Sequence, residues 1–373
     1  MKKLLFLTVL AGLLSGCIIK KQDVSGLPET VAPEEMEKIY NEIKTPFKYG
    51  LVLTAPEPSK KVDCPTIFRR NGRWYMSYLV YDGRGYETWL AGSDDLMHWD
   101  QMGRILSFSD STHWDDDQKA GYIALQDYEW GGSYALQTFD GKYWMSYFGG
   151  NKTGYEAGIL SIGIAYTDRD PAMVHEWQRL DEPVLRPMDE DVRWWENSTM
   201  YKSTVIRDKQ EITGYPFVMY FNARGDSIRP HRGAERIGMA VSRDMVNWER
   251  FLKDPVLNHH RGITGDAYLQ RIDDVWVMFY FGAFWEGRPN AFNRFACSYD
   301  LVNWTDWTGP DLIAPTEDYE SRFAHKSCVL KYDGVVYHFY CAVNANDDRG
   351  IALATSVDLG KSDLKFLVTE NND

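Results

Sequence analysis

Long apolar runs, positive charge and cysteine are all scarce in this 373-residue sequence, and each shortage excludes a class of protein. After residue 17, no stretch reaches the roughly 18 unbroken apolar residues that a membrane-spanning helix needs. The net charge is −13 at pH 7, so nucleic acid and anionic lipid surfaces are not expected as partners, because both bind clusters of Lys and Arg. No CxxC motif or combined Cys and His spacing predicts structural zinc.

The cysteines beyond residue 17 lie inside apolar, strand-like runs such as Phe339-Tyr340-Cys341. An exported chain is in a compartment that permits disulfides. The apolar surroundings nevertheless favour small buried thiols. The four residues are Cys64, Cys297, Cys328 and Cys341.

The first 17 residues have the pattern of an export signal: a basic start, an apolar run over residues 4–14 and the small-residue run Leu14-Ser15-Gly16-Cys17. The apolar run is too short to span a bilayer core of about 30 Å, which indicates that it is removed. The Leu-Ser-Gly-Cys run resembles the lipobox of bacterial lipoproteins, and this resemblance implies that Cys17 is acylated. We therefore expect a lipid anchor to a bacterial membrane, facing the periplasm or the cell surface, with membrane contact only through that lipid.

The sequence divides into three segments. Residues 1–16 are expected to be the lipoprotein signal peptide, and residues 17–45 a tether with a short helix. Helical spacing extends from Pro33 to Ile43 and places four apolar residues on one face, namely Met36, Ile39, Tyr40 and Ile43. Residues 46–373 are expected to form the catalytic domain.

Aromatic residues are abundant, at 14% of the sequence, and they belong to a unit that recurs five times. In its first copy, two apolar-aromatic runs flank Asn71-Gly72, which is a strong hairpin signal. In four of the copies the third run ends in a Ser-x-Asp-Leu/Met turn, beginning at Ser93, Ser242, Ser298 and Ser356. Repeated small antiparallel sheets are typical of blades around an axis. We therefore predict an all-β fold, a five-bladed β-propeller with a short N-terminal helix.

In a propeller, the starts of the innermost strands and the loops between second and third strands open on the same funnel. Facing carboxylates in such a funnel suit glycoside hydrolysis, in which an acid protonates the leaving oxygen and a carboxylate acts at the anomeric carbon. The inner-strand starts offer Asp63, Glu196, Asp266 and His325, and the walls offer Arg84, Glu87, Arg224, Trp285 and Arg349. Trp130 and Trp285 are also predicted to stack against sugar rings. Trp195 is predicted to provide apolar surroundings for Glu196 and to contact the substrate.

Two segments resemble motifs of the five-bladed β-propeller glycosidases, the group that includes glycoside hydrolase families 43, 117 and 32. The segment Asp63-Cys64-Pro65-Thr66-Ile67-Phe68 is similar to a first-blade Asp-Pro-Thr/Ser segment, and the resemblance implies that Asp63 is the general base. Glu196-Asn197-Ser198-Thr199-Met200-Tyr201-Lys202 resembles a Glu-Gly-Pro-x-x-Tyr-Lys segment, which implies that Glu196 is the general acid. Cys64 interrupts the first motif. The second-blade aspartate of family 43 is missing unless Asp127, or the run 115–117, replaces it.

The resemblance also places His325 near the sugar or near a bound ion, so a structural Ca²⁺ in the central channel is one expectation, and no cofactor is required. We expect a glycoside hydrolase that uses an Asp/Glu pair to release a terminal sugar, with a furanoside as one candidate, from a plant or algal oligosaccharide or polysaccharide. Two alternatives stay open. One is a phosphate-dependent phosphorylase, and the other is a non-catalytic surface lipoprotein that binds glycans.

Overall fold

The computed structural model describes residues 26–109, 113–225 and 233–367, which form an all-β protein with one α-helix. Helix α1 spans Pro33–Ile43 and buries Met36, Ile39 and Ile43, as its spacing predicts. Within the described ranges, no helix is both long and apolar enough to cross a membrane. Cys17 and the expected signal peptide lie outside the described residues.

Twenty β-strands and a short 3₁₀ helix at Asp318–Glu320 make up the rest of the regular structure among these residues, and most strands pair with their neighbours in sequence. The strands are β1 Phe47–Thr54, β2 Lys61–Arg70, β3 Arg73–Tyr81, β4 Tyr86–Ser93, β5 Asp100–Leu106, β6 Gln118–Ile123, β7 Tyr143–Gly150, β8 Ser161–Thr167, β9 Gln178–Arg179, β10 Thr199–Arg207, β11 Phe217–Arg224, β12 Glu235–Ser242, β13 Trp248–Arg250, β14 Ile263–Ile272, β15 Val275–Trp285, β16 Arg288–Ser298, β17 Thr305–Asp306, β18 Phe323–Tyr332, β19 Val335–Val343 and β20 Arg349–Thr355.

The strands fall into five antiparallel groups of four. Strands β2 to β5 and β6 to β9 are separate sheets, while β10 to β13, β14 to β17 and β18 to β20 are joined by single parallel pairs into a longer path. The N-terminal strand β1 pairs with β20 and becomes the fourth strand of the last group. The first strands of the groups contact one another, since β10 touches β6 and β14, and β18 touches β14 and β2.

The turn residues that repeat in the sequence act locally. In the first group, Ser93 Oγ accepts the Leu96 N–H at 2.9 Å, and Leu96 takes a positive φ of 68°. The Trp99 indole then donates to the Leu96 carbonyl at 3.0 Å. Trp248 and Trp304 make the same bond in their groups, so these tryptophans serve packing and turn closure. All four cysteines beyond residue 17 are free and buried, which confirms the prediction of small buried thiols.

Four of the five first strands carry one extra residue at an equivalent place, a β-bulge. In β2, for example, Asp63 pairs with Leu79 and Thr66 with Ser77, so Cys64 and Pro65 together face a single residue. Strands β10, β14 and β18 shift register in the same way after Met200, Gly265 and His325. The bulges contain Cys64, Lys202, Asp266 and Lys326. Because the first strands touch, the bulges bring these side chains towards one another.

Candidate active site

A cavity of about 230 Å³ lies where the bulges meet, and all four of the bulge residues line it. Its wall combines ionisable groups with aromatic rings, as a site for a polar, ring-shaped ligand requires. The polar and ionisable lining residues are Cys64, Tyr86, Tyr122, Tyr155, Glu156, Tyr201, Lys202, Asn222, Glu235, Asp266, Arg322, His325, Lys326 and Arg349.

Asp63 lies directly behind this wall and is buried. Its Oδ2 accepts hydrogen bonds from Lys326 Nζ at 2.7 Å, Tyr86 OH at 3.3 Å and Arg349 Nη1 at 3.4 Å. Burial would raise the pKa of Asp63, but the charge of Lys326, with that of Arg349, holds it well below its usual range. Asp63 is therefore a permanent anion that neutralises and orients two cations of the cavity wall.

Two glutamates that the sequence motifs did not indicate reach the cavity. Glu156 lies in the loop between β7 and β8 and has a positive φ of 47°. Glu235 is the first residue of β12, and its Oε2 accepts a hydrogen bond from Asn222 Nδ2 at 2.9 Å. The side chains come from neighbouring groups of strands and line one cavity.

The loop that carries Glu156 is anchored by backbone bonds. Gln118 Nε2 donates to the carbonyls of Lys152 at 3.1 Å and Gly154 at 2.6 Å, and the Gly154 N–H donates to the Arg84 carbonyl at 2.8 Å. The Arg84 side chain pairs with Asp117 at 2.6 Å, outside the cavity lining. Arg84 therefore supports the loop, and the structure does not bring its side chain to the site as predicted.

The surroundings of the two glutamates favour different protonation states. Burial and the neighbouring charge of Glu156 raise the pKa of Glu235 to about 8, against an ordinary value of 4.5. Burial also raises the pKa of Glu156, while Lys326 acts in the opposite direction. A pair of carboxyl groups that repel one another near one cation ionises in sequence, and the member nearer the cation loses its proton first. At neutral pH, Glu235 therefore keeps its proton, and Glu156, on which Lys326 acts, is the member of the pair that ionises first.

Asp266 is a third carboxyl group in the cavity wall, as predicted for the start of β14. It occupies the bulge with a φ of 59°, and its Oδ2 accepts a weak bond from Cys64 Sγ at 3.7 Å. Burial raises the pKa of Asp266, and the charges of Lys326 and Lys202 oppose that rise. This aspartate lies in the same cavity as the two glutamates.

His325 and Arg349 are the other predicted residues that line the cavity. The His325 Nδ1 bonds the Cys341 carbonyl at 3.1 Å, and burial with the charge of Lys326 lowers the pKa of His325 to about 3, so the imidazole is neutral. Arg349 Nη1 donates to Tyr155 OH at 2.8 Å. Arg224 lies at the end of β11 over the Tyr201 ring, at 5.9 Å, and its charge acts on Glu235.

The residues around His325 do not fit Ca²⁺. Ligand atoms of Asp63, His325 and Cys341 lie within 4.8 Å of one another. Calcium takes six to eight oxygen ligands, whereas this set offers one carboxylate with a nitrogen and a sulfur. The carboxylate is moreover bonded to Lys326. The donor set therefore does not match the ion that was expected in the channel.

The structure does not bring Glu196 to the cavity, which revises the expected pairing of Asp63 with Glu196. Glu196 Oε1 accepts from Arg250 Nε at 2.6 Å and from the Arg193 N–H at 2.9 Å, and the glutamate is fully buried. Arg250 is itself buried and also bonds Asp189 at 3.0 Å. A carboxylate enclosed in a buried ion pair cannot deliver a proton to a substrate in the cavity, so this cluster holds the segment before β10 in place.

Five further predicted residues lie outside the cavity lining, each with a structural partner. Asp127 accepts bonds from Ser133 within its own loop, and Glu87 pairs with Arg104 at 3.2 Å. The three tryptophans are held by their indole N–H groups and by packing. Trp130 donates to Glu42 at 2.8 Å, Trp195 to the Lys253 carbonyl at 3.1 Å and Trp285 to the Ile263 carbonyl at 2.7 Å.

Solved structures similar to this protein include glycoside hydrolases. A BT0996 complex with RGII is 52% identical, with a TM-score of 0.88, and the match covers 90% of this protein and 99% of that one. A glycoside hydrolase is 51% identical, with a TM-score of 0.88 and coverage of 91% and 100%. A thermostable family-43 glycoside hydrolase, at 14% identity and a TM-score of 0.57, covers 85% and 99% and shares the fold. No protein-family model and no curated protein matches the sequence.

Fold and cavity thus define a carbohydrate-active β-protein, and the half-identical relatives extend over nine-tenths of its length. The protein belongs to the glycoside hydrolases.

Proposed function

We propose that this hydrolase uses Glu235 as general acid and Glu156 as the carboxylate that acts at the anomeric carbon, in place of the expected Asp63 and Glu196. The observation that carries the proposal is the pair of glutamates in one cavity, with the pKa of Glu235 raised to about 8. Environments that push two carboxyl groups apart in pKa are the usual means by which one fold supplies an acid and a base together.

The reaction follows from these two states. Glu235 transfers its proton to the glycosidic oxygen as the bond from that oxygen to the anomeric carbon breaks, and the leaving group departs as an alcohol. The Glu156 carboxylate either takes a proton from the attacking water or itself bonds to the anomeric carbon before water replaces it. In both routes one water is consumed and the hydroxyl joins the released sugar. The loop bonds from Gln118 keep Glu156 in position throughout.

Hydrolysis is favoured over phosphorolysis by the charges of the cavity. The Glu156 carboxylate lines it together with Asp266, and this negative charge would repel a phosphate dianion. Lys326 and Arg349, which could hold phosphate, are bonded to Asp63. Arg84, another residue of the expected phosphate rim, pairs with Asp117.

We further propose that the five groups of strands are the blades of a five-bladed β-propeller. The contacts among β2, β6, β10, β14 and β18 support this arrangement, as does pairing of β1 with β20, which would join the two ends of the fold in one blade. The lipid anchor at Cys17 stays part of the proposal, because the sequence pattern supports it.

For the substrate, we propose a terminal sugar of an oligosaccharide from a plant or algal glycan. The complex of the 52% identical relative makes RGII the first glycan to test. A furanoside is one candidate for the released sugar. A cavity of about 230 Å³ would hold a single sugar residue, which favours release from the end of a glycan.

The experiment is a screen of RGII oligosaccharides and 4-nitrophenyl furanosides and pyranosides, with and without phosphate, using wild type, Glu156→Gln and Glu235→Gln. We expect the wild type to release a free sugar without phosphate and both variants to lose turnover while they still bind glycan. Asp127→Asn is the matched control, because that carboxylate bonds only within its own loop among the described residues. Full turnover by either glutamate variant would refute the proposed pair, and release of a sugar phosphate would establish the phosphorylase instead.

A further inference from the structure

A buried lysine lies in the wall of the cavity. Lys202 is buried, with 3% of its surface exposed, and its Nζ has no hydrogen-bond partner among the described residues. Its Nζ lies over the ring of Tyr122, another wall residue, at 5.5 Å from the ring centre. An ammonium removed from water without compensating hydrogen bonds destabilises the folded state. The cavity must therefore supply the partner when a ligand is present.

A second lysine in a bulge of the cavity wall shows how the protein compensates a lysine charge with its own side chains. Lys326 is the first residue of the bulge in β18, and Lys202 is the second residue of the bulge in β10. The Nζ of Lys326 donates to Asp63 at 2.7 Å, so its charge is compensated inside the protein. Both lysines thus lie in bulges that line the cavity, but only the Nζ of Lys326 has a hydrogen-bond partner among the described residues, so Lys202 keeps its donors available.

Acceptors and donors suited to a sugar hydroxyl lie close to Lys202. Asp266 occupies the bulge of the adjacent first strand β14, and the charge of Lys202 acts on its carboxyl group. Asn222, on β11 opposite the β10 bulge, has a buried Oδ1 without a partner among the described residues. An ammonium can only donate and a carboxylate can only accept, whereas a hydroxyl does both. Two neighbouring hydroxyl groups on a sugar could accept hydrogen bonds from Lys202 and donate hydrogen bonds to Asp266 at the same time.

We propose that Lys202 and Asp266 bind a pair of neighbouring hydroxyl groups on the sugar that is released, and so determine which sugar the enzyme accepts. This inference rests on the proposed function and adds the specificity of the same cavity. A carboxylate or phosphate on that sugar is disfavoured because the carboxylates of Glu156 and Asp266 already line the cavity. Neutral sugars with an intact diol are the class that the site would select.

The test compares Lys202→Met with Lys326→Met in both stability and kinetics. Removing an uncompensated buried charge is expected to leave the melting temperature of Lys202→Met equal to or above that of wild type. Lys326→Met leaves Asp63 buried without its closest cation, so its melting temperature is expected to fall. A lower melting temperature for Lys202→Met would overturn the proposal, because it would show that the fold itself compensates this lysine.

For the kinetics, the probes are RGII oligosaccharides and a series of 4-nitrophenyl glycosides that each lack one ring hydroxyl. Loss of a charge-assisted hydrogen bond is expected to lower kcat/KM of Lys202→Met by about tenfold to hundredfold, chiefly through KM. On the one deoxy glycoside that lacks the bound hydroxyl, wild type and variant should have equal kcat/KM. An equal loss on every glycoside would overturn the proposal. Lys331→Met, whose side chain bonds Glu42 on α1 at 2.5 Å, is the charge-matched control and should not change kcat/KM.

The two proposals fail in different ways. Turnover retained by Glu235→Gln refutes the acid assignment and leaves the role of Lys202 in binding to be decided by its own data. Calorimetric titration of RGII oligosaccharides into Lys202→Met measures that role without turnover, with a tenfold or greater loss of affinity expected. Wild-type affinity in this titration, with wild-type KM on every glycoside, would refute the role of Lys202 and leave the glutamate pair intact.

Discussion

Replacement of Glu235 by Gln should change both the activity and the pH dependence of stability. The folded protein raises the pKa of this carboxyl group from 4.5 to about 8, because the half-buried group loses water and is repelled by the charge of Glu156. The folded state therefore keeps a proton that the unfolded chain releases. The stability associated with that proton is complete below about pH 4.5 and is lost as the pH rises to about 8. Over this interval the lost stability is about 5 kcal/mol at most.

Glutamine keeps the shape of the protonated acid and cannot ionise. Glu235→Gln should therefore escape this loss, so that its free energy of unfolding, relative to wild type, increases by up to about 5 kcal/mol from pH 4.5 to pH 8. The same substitution removes the proton donor and should lower kcat by about 10²–10⁴-fold. The assay is urea unfolding at several pH values between 4.5 and 8, together with kinetics on the glycoside that wild type cleaves.

Glu156→Gln is the matched control for the electrostatic cause. It removes the charge that repels ionisation of Glu235, so the pKa of Glu235 should fall and the pH dependence of stability should weaken without disappearing. Wild type and Glu235→Gln with parallel stability profiles from pH 4.5 to 8 would refute the reasoning. They would show that Glu235 ionises as an ordinary surface glutamate and cannot serve as the acid.

Three further substitutions test the remaining residues. Glu196→Gln should leave kcat/KM unchanged, but it should lower the free energy of unfolding in urea by about 1–3 kcal/mol, because Arg250 loses a buried charged partner. A thousandfold loss of kcat would restore Glu196 as the acid. Gln118→Ala removes two bonds to the Glu156 loop and should lower kcat by up to about a hundredfold, with faster hydrogen exchange at residues 151–158; unchanged exchange would contradict this anchoring role. Asp63→Asn should cost about 3–5 kcal/mol in urea unfolding, since Lys326 and Arg349 are left with no buried anion; wild-type stability would show that the pairing is weak.

The repeated unit predicted the strands well because its signals are local. Asn71 and Gly72 both take positive φ, as the hairpin between β2 and β3 requires, and α1 begins and ends at the predicted residues. Asp266, His325 and Arg349 were correctly placed beside one cavity from the expected direction of the inner strands and loops alone. That deduction needed only the order of strands within each unit.

The residues that were missed depend on pairing between strands. A bulge adds one residue to β10 and to β18, and it places Lys202 and Lys326 in the cavity wall. Because a bulge is defined by pairing with the partner strand, it could not be read from the sequence of its own strand. The expectation that loops between second and third strands open on the funnel identified the connection after β7 correctly. Glu156, however, lies five residues beyond Asn151, where that connection begins. Glu196 was misplaced because Arg250, 54 residues later, encloses it.

The bulge also explains why Asp63 is close to the site without lining it. In β14 the carboxylate Asp266 occupies the bulge and faces the cavity, whereas in β2 the bulge holds Cys64 and the aspartate precedes it. Asp63 turns instead to Lys326 and Arg349 and compensates both. If these cations were uncompensated, they would attract Glu156 and weaken it as a base, because a carboxylate held by two cations is a poor proton acceptor. The aspartate that resembles a general base thus weakens, without removing, the pull of Lys326 and Arg349 on Glu156, the carboxylate that we propose acts at the anomeric carbon.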